Sequence, residues 1–592
     1  MIPRTVVLCV TVLLSIVVTV NSQGRRLPPN QTPPILRPVP DTRGVDFIFC
    51  FMSNFQIPER LMIIIGGNSP GDTRVQVQVP ALNILRFIEV PEGQTRFLDI
   101  PPIAAAIGTG FQNGTVYVLA QQQVTVHAVN SISNTNDGFL AIPTDGLGTE
   151  YIVASYDPVP IEQSQFIISG TQDFTRVWVT PTNQIRWGVR LYQQGETIIV
   201  NLMRFQSIQF QSAADLTGSH IRSNKPVSVS SGASCTLVPA GVYRCDHLIE
   251  MIPPVPTWGK RFTLLPFVNR TSGFIFRIIA ARQQTEINVA GINTWLMQMG
   301  EYREYDQRSP FPVTVTASRP VLVVQYAKGF ESDMMGDPFM TLVPPVEQFI
   351  MGTVTFGTFN ESSLLLQRQP LRSFVCVSVS AESLFAVSLN NIPVLDSRRN
   401  VPAFGRLATY GADRSFEIHR GANTISNPSL FTRFGAIVYG FGLGTSYGYP
   451  IGYRLIRQLC SRVNKGTEQV IEYDCFDTNV GNVPDGVPGP PGPGLPGFPN
   501  PPLGGPFGDE ELDPNRPPGG YIPAGHPAFP FIPDPNWPSA QLPLPPLPPP
   551  EPPTGGCFST GLLILGAIAP ASIVFLIMLI ILVTLQASKK KY

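Results

Sequence analysis

Across residues 45–455 the apolar positions recur every second residue in short runs, each bounded by Gly, Pro, Asn or Asp. Thr175-Arg176-Val177-Trp178-Val179, Glu286-Ile287-Asn288-Val289, Val313-Thr314-Val315-Thr316 and Val321-Leu322-Val323-Val324 are examples. A period of two turns successive side chains to opposite faces of a sheet, and no long stretch repeats at the helical period. The pattern predicts an all-β fold.

The runs also recur in a fixed order. One strand reads Arg74-Val75-Gln76-Val77, then Arg176-Val177-Trp178-Val179, Glu286-Ile287-Asn288-Val289 and Phe385-Ala386-Val387-Ser388-Leu389. A later strand reads Val124-Thr125-Val126-His127, Pro226-Val227-Ser228-Val229, Pro320-Val321-Leu322-Val323 and, more loosely, Gly435-Ala436-Ile437-Val438-Tyr439. Between them lies a glycine turn at Pro91-Glu92-Gly93, Gln194-Gly195-Glu196 and Met299-Gly300-Glu301. The spacing is about 100 residues, the size of one β-sandwich. About four tandem sandwich-like repeats are therefore expected, at 45–135, 136–245, 246–345 and 346–455, arranged as a rod or a compact array.

The two ends carry targeting signals. Arg4 precedes an apolar run at 6–20, which reads as a signal peptide (1–22) cut before Gln23, ahead of a proline-rich leader at 23–44. Residues 561–585 carry no charge and are long enough to span the ~30 Å hydrocarbon core as a helix. Lys589, Lys590 and Lys591 follow, so the tail at 586–592 is expected in the cytoplasm and the ectodomain outside, a single-pass type I topology. A lipid-anchor signal at Gly555-Gly556 is disfavoured because the chain ends in Lys-Lys-Lys-Tyr. Lys589 and Lys590 also resemble a dilysine retrieval signal, which makes residence in the endoplasmic reticulum the alternative to the cell surface. A cysteine-containing segment at 456–482 leads into a Pro/Gly-rich stalk at 483–556. As an extended polyproline spacer of ~3.1 Å per residue the stalk reaches roughly 200 Å and is expected to be disordered.

Charge excludes one class of partner. The net charge is zero with 14% charged residues, so there is no basic field to recruit nucleic acid. Of eight cysteines, Cys9 leaves with the signal. In an oxidising compartment spacing favours Cys235–Cys245 and Cys460–Cys475, with Cys50 and Cys376 bonded to each other or free. Cys557, beside the membrane, either bridges two chains into a homodimer or stays reduced. Asn30, Asn113, Asn269 and Asn360 head glycosylation sequons.

Candidate chemistry is sparse. Cys235, Cys245, Asp246 and His247 lack the second ligand pair that zinc needs, so they read as a disulfide beside a hydrogen-bonded histidine. The five histidines, His127, His220, His247, His419 and His526, stand in no catalytic pattern. Asn134-Thr135-Asn136-Asp137-Gly138 reads as a polar turn, and Asp333 and Asp337 as solvated loop acids. No catalytic residue, metal or cofactor is expected, and the chain is not expected to be an enzyme.

The segment Cys245-Asp246-His247-Leu248-Ile249-Glu250-Met251-Ile252-Pro253-Pro254-Val255-Pro256-Thr257-Trp258-Gly259, with Cys235 upstream, resembles the signature of the IgGFc-binding protein N-terminal domain family. Gly138-Phe139-Leu140-Ala141-Ile142-Pro143 with Leu147-Gly148-Thr149-Glu150-Tyr151, and Ser446-Tyr447-Gly448-Tyr449-Pro450-Ile451-Gly452, extend the likeness over residues 45–455. The resemblance implies an extracellular β-repeat domain that serves mucosal or cell-surface binding. Mucus members continue into cysteine-dense von Willebrand type D modules, where this chain has a stalk and anchor. The expectation is a cell-surface binding or adhesion protein that displays its repeats to a glycan or protein ligand in mucosal or innate defence. A structural or assembly partner within the same membrane is the alternative, and an ectoenzyme the remote one.

Overall fold

The computed structural model describes residues 40–132, 135–308, 311–359, 371–379, 386–393, 416–427, 432–442, 444–463 and 470–474. The signal, the leader up to residue 39, the stalk, membrane segment and tail predicted above lie outside these residues, as do Asn30, Asn360, Cys475, Cys557, Lys589 and Lys590. Among the described residues no helix is long and apolar enough to cross a membrane. The described part is all-β, interrupted only by short 3-10 turns.

One pairing scheme recurs four times. In the first repeat a long strand, Val116–Ile132, is shared by two layers. Its first half pairs with Gly44–Phe49 and Asp72–Val79, and its second half with Arg60–Gly67 and Thr135–Leu140. In the second repeat His220–Thr236 pairs in its first half with Gly148–Ile152 and Thr175–Thr180, then with Ser164–Gly170 and Asp246–Met251. Val313–Ala327 repeats the scheme with Gly259–Leu264, Thr285–Val289, Phe274–Ala280 and Met340–Leu342. In the fourth repeat the long strand is broken into Ala422–Ser426 and Phe434–Gly442, and the latter pairs with Arg372–Val379 and Thr445–Gly452.

The alternation that marked these runs explains their burial. Val75, Val77 and Val79 are fully buried and share a core with Leu61, Ile63 and Ile65 of the facing strand. Each such side chain contributes about 1.5–3 kcal/mol by leaving water. The turn glycines adopt the left-handed region, with φ of 77° at Gly195 and 79° at Gly300, where a Cβ would be strained.

The last strand of each repeat returns to its own long strand, so the first sheet closes at Leu140 and the second at Met251. These return strands also make the arrangement a ring. The core of the first repeat takes in Ile249 and Met251 of the second, and that of the second takes in Ile275, Tyr326 and Met340 of the third. The third packs with Phe374, Tyr439 and Phe441 of the fourth. The fourth closes back on Met62, Ile64 and Val129 of the first. Every repeat is thus packed on both sides, and the four sandwiches form a compact closed array. Among the described residues no end is left with an uncovered apolar face, as an open solenoid would have.

Candidate functional site at the mouth of the ring

The four return strands line a common axis. Gly138, Ile249, Met340 and Gly448 occupy the same place in each, opposite Val129, Gly232, Tyr326 and Tyr439 of the long strands. The backbone N–H of all four points at one carboxylate, that of Asp137. Gly138 and Gly448 donate to Oδ1 at 2.8 and 3.4 Å, and Met340 and Ile249 to Oδ2 at 3.0 and 3.2 Å. Asp137 is completely buried. Burial raises its pKa well above the carboxylate range, and the four donors oppose that shift. The polar turn expected at residues 134–138 is therefore corrected: Asp137 sits inside a strand at the centre of the molecule, because the ring brings it donors that replace water.

At one end of this axis lies a cavity of about 590 Å³. All four repeats line it: Phe55, Gln56, Glu59, Ile132 and Thr135 from the first, Cys235, Arg244 and Cys245 from the second, Asp337 from the third and Gly444 from the fourth. Residues near this lining in sequence are exposed. Tyr243 on the disulfide loop is 90% exposed, Met334 65% and Ile57 72%. Arg244 leans over the Phe330 ring at 4.9 Å and faces Glu331 at 3.8 Å.

Asp337, in this lining, and Asp246, next in sequence to Cys245, are both buried. Neither Asp246 Oδ2 nor Asp337 Oδ1 has a hydrogen-bond partner. Burial pushes the Asp337 carboxyl up to about 8, Glu331 adds to the shift, and Arg244 and Arg270 oppose it. Asp246 is raised well above the usual range by burial and by the nearby Asp337 and Asp137. The expectation that Asp333 and Asp337 are solvated is overturned. Asp333 holds Arg270 at 2.8 Å with both side chains about 1% exposed, and Asp337 is closed in by the return strands. A Met-Met-Gly loop gives no sign of this, because its cover comes from Ser446 and Gly442 of the fourth repeat, which bond the Asp337 and Gly336 N–H groups.

Of the residues singled out from sequence, Cys235 and Cys245 form a disulfide with Cα atoms 5.2 Å apart. His247 beside it is buried, with Nδ1 2.9 Å from the Ala233 carbonyl, and burial lowers its pKa to about 4. Cys50 and Cys376 are not bonded to each other. They are free, buried thiols in separate cores, and burial pushes both up to about 12. Such thiols are inert, since the thiolate is the reactive form. Asn113 and Asn269 are exposed on loops, where a glycan has room. Cys460 lies on Leu459–Val463, paired with Val470–Asp474.

The family described as IgGFc binding protein matches residues 137–440, more than half of the chain's 592 residues. Among curated proteins, the human IgGFc-binding protein is 26% identical over 319 residues. That match covers 52% of this chain and 6% of the relative's own length.

Proposed function

Because the chain belongs to the IgGFc-binding protein family, we propose that it is a cell-surface binding protein whose ring engages an extracellular protein at the mouth described above. The observation that carries this reading is the cavity to which all four repeats contribute, lined by exposed Phe55, with exposed Ile57, Tyr243 and Met334 within three residues in sequence of its lining. Exposed aromatic and apolar side chains with a few charged groups are the composition of a protein-binding patch. The stalk expected at 483–556 and the helix expected at 561–585 would tether the chain to a membrane, where Cys557 could link two copies.

The relative's name supplies the first ligand to test. Cells displaying the full-length chain should capture immunoglobulin Fc or another extracellular protein, and the pair Tyr243→Ala and Met334→Ala should abolish capture while surface display is kept. An undiminished double variant would remove the mouth as the binding face. Failure to bind Fc, arrayed glycans and neighbouring cells alike would retire the binding role. Residence in the endoplasmic reticulum, released by substituting Lys589 and Lys590, would move the role from the cell surface to an assembly partner within the membrane.

A further inference from the structure

The charges around the cavity are unevenly matched. Arg270 is held by Asp333 and by the Lys328 carbonyl, and Arg244 faces Glu331. These two arginines are the cations near Asp337, and each already answers another acid. The charged groups that act most on Asp246 are Asp337 and Asp137. Asp337, in the cavity lining, and Asp246, next to Cys245 of that lining, each keep a buried oxygen without a hydrogen-bond partner, and Arg270 Nη1 near Asp337 also has none. An unpaired buried acid costs several kcal/mol of folding stability when ionised, so a fold that keeps one facing a cavity leaves it for something that enters.

The chemistry of the entrant follows. Calcium takes six to eight oxygen ligands, including carboxylates, and zinc takes four ligands. Among the described residues no three His, Cys, Asp or Glu side chains converge to hold a metal. A basic side chain needs less: one carboxylate for its charge and an apolar wall for its stem. Asp337 and Phe55 line the same cavity, and its volume accommodates a long side chain with room for water.

We propose that the mouth receives a lysine or arginine side chain of a protein ligand, with Asp337 as its counter-ion and Phe55 along its stem. This deepens the binding role above and rests on it. Because Asp337 holds its proton in the empty ring, binding releases that proton to solvent. Occupancy therefore strengthens as pH rises through the Asp337 titration, in a field also set by Asp246, Glu331, Arg244 and Arg270.

The test uses the purified full-length chain and three blocked amino acids, N-acetyl lysine, arginine and glutamine methylamides, followed by ligand-observed NMR. At about 10 mM, millimolar affinity gives a clear signal. The lysine and arginine probes should bind and the glutamine probe should not. Asp337→Asn should weaken binding at least tenfold without lowering the melting temperature, and affinity should rise between pH 6 and 9. Equal binding of all three probes, no binding of any, an unchanged Asp337→Asn variant, or displacement of the lysine probe by Ca²⁺ would each overturn the proposal. If Asp337→Asn loses the basic probes but still captures the ligand on cells, the counter-ion role falls and the binding role stands. If capture is absent in the unmodified chain, the binding role falls first.

Discussion

Asp137 and Asp337 are both buried carboxyls near the ring axis, and their surroundings are opposite. Asp137 collects one backbone N–H from every repeat, filling both oxygens. Asp337 Oδ1 receives none and the residue lines a cavity. The N–H groups that reach Asp137 come from equivalent residues, so a single acid serves four copies of one position and ties the ring at its centre. Asp337 stands three residues before Met340, where the return strands have begun to part. The difference separates an acid that holds the fold from one that the fold tolerates. Polar burial is neutral or better when every lone pair is answered, and a liability when it is not.

Substitution should expose that contrast most sharply at the centre. Asp137→Asn turns one oxygen into an NH₂ group that faces two N–H donors and leaves those buried donors unanswered. With two buried donors left unsatisfied the loss should be about 3–5 kcal/mol, read as a large fall in the urea midpoint with the repeats losing cooperativity. An unchanged midpoint would mean that the four donors are satisfied some other way and that Asp137 does not tie the ring.

The next effect is smaller and of opposite sign. The folded pKa of Asp337, about 8, lies above the ordinary unfolded value. An acid shifted this way costs nothing below about pH 3.9, where both states are protonated, and costs more as pH rises toward the folded value. Asp337→Asn removes the cost, so the variant should gain on the order of 2 kcal/mol at pH 8 and nothing at pH 4. Melting curves across that range check both sign and window. A variant that loses stability at pH 8 would show that Asp337 is a structural acid like Asp137.

How much of this was readable in the chain follows from the same contrast. The alternating runs that marked the repeats correspond to Asp72–Val79, Thr175–Thr180 and Thr285–Val289 and to the middle of each long strand. Their signal is local, because burying alternate valines needs only the strand itself and a facing layer. The disulfide was legible too, since two cysteines ten residues apart in an oxidising compartment have few other partners. Asp137 was not. Its four donors lie 1, 112, 203 and 311 residues away, and nothing within Asn134-Thr135-Asn136-Asp137-Gly138 distinguishes a residue answered by three distant strands from one answered by water. Asp337 escaped for a related reason, its cover being drawn from the fourth repeat. The repeats themselves held a clue: one fold copied four times, with each copy needing a neighbour on both sides, implies either capped ends or closure.

Glu150 supplies the intermediate case and the smallest predicted effect. It lies at the border of the second and third repeats, where Arg282 of the third donates to Oε2 at 2.9 Å and His220 of the second stands 3.1 Å from Oε1. Burial works to raise its pKa, but the hydrogen bonds from His220 and Arg282 outweigh that and hold it at about 2. A carboxylate depressed in this way stabilises the fold above its unfolded pKa and loses that contribution as pH falls toward 2. Glu150 is about a quarter exposed, so solvent screens the pair, and Glu150→Gln should cost about 1 kcal/mol at pH 7. The cost should vanish by pH 2 and shrink in high salt, whereas the Asp137→Asn loss should survive salt because its partners are backbone dipoles shielded from ions. Unfolding of both variants at low and high ionic strength measures the distinction directly. Equal salt sensitivity would mean that the axial carboxylate is reached by solvent, and that the ring is open where its four strands are seen to meet.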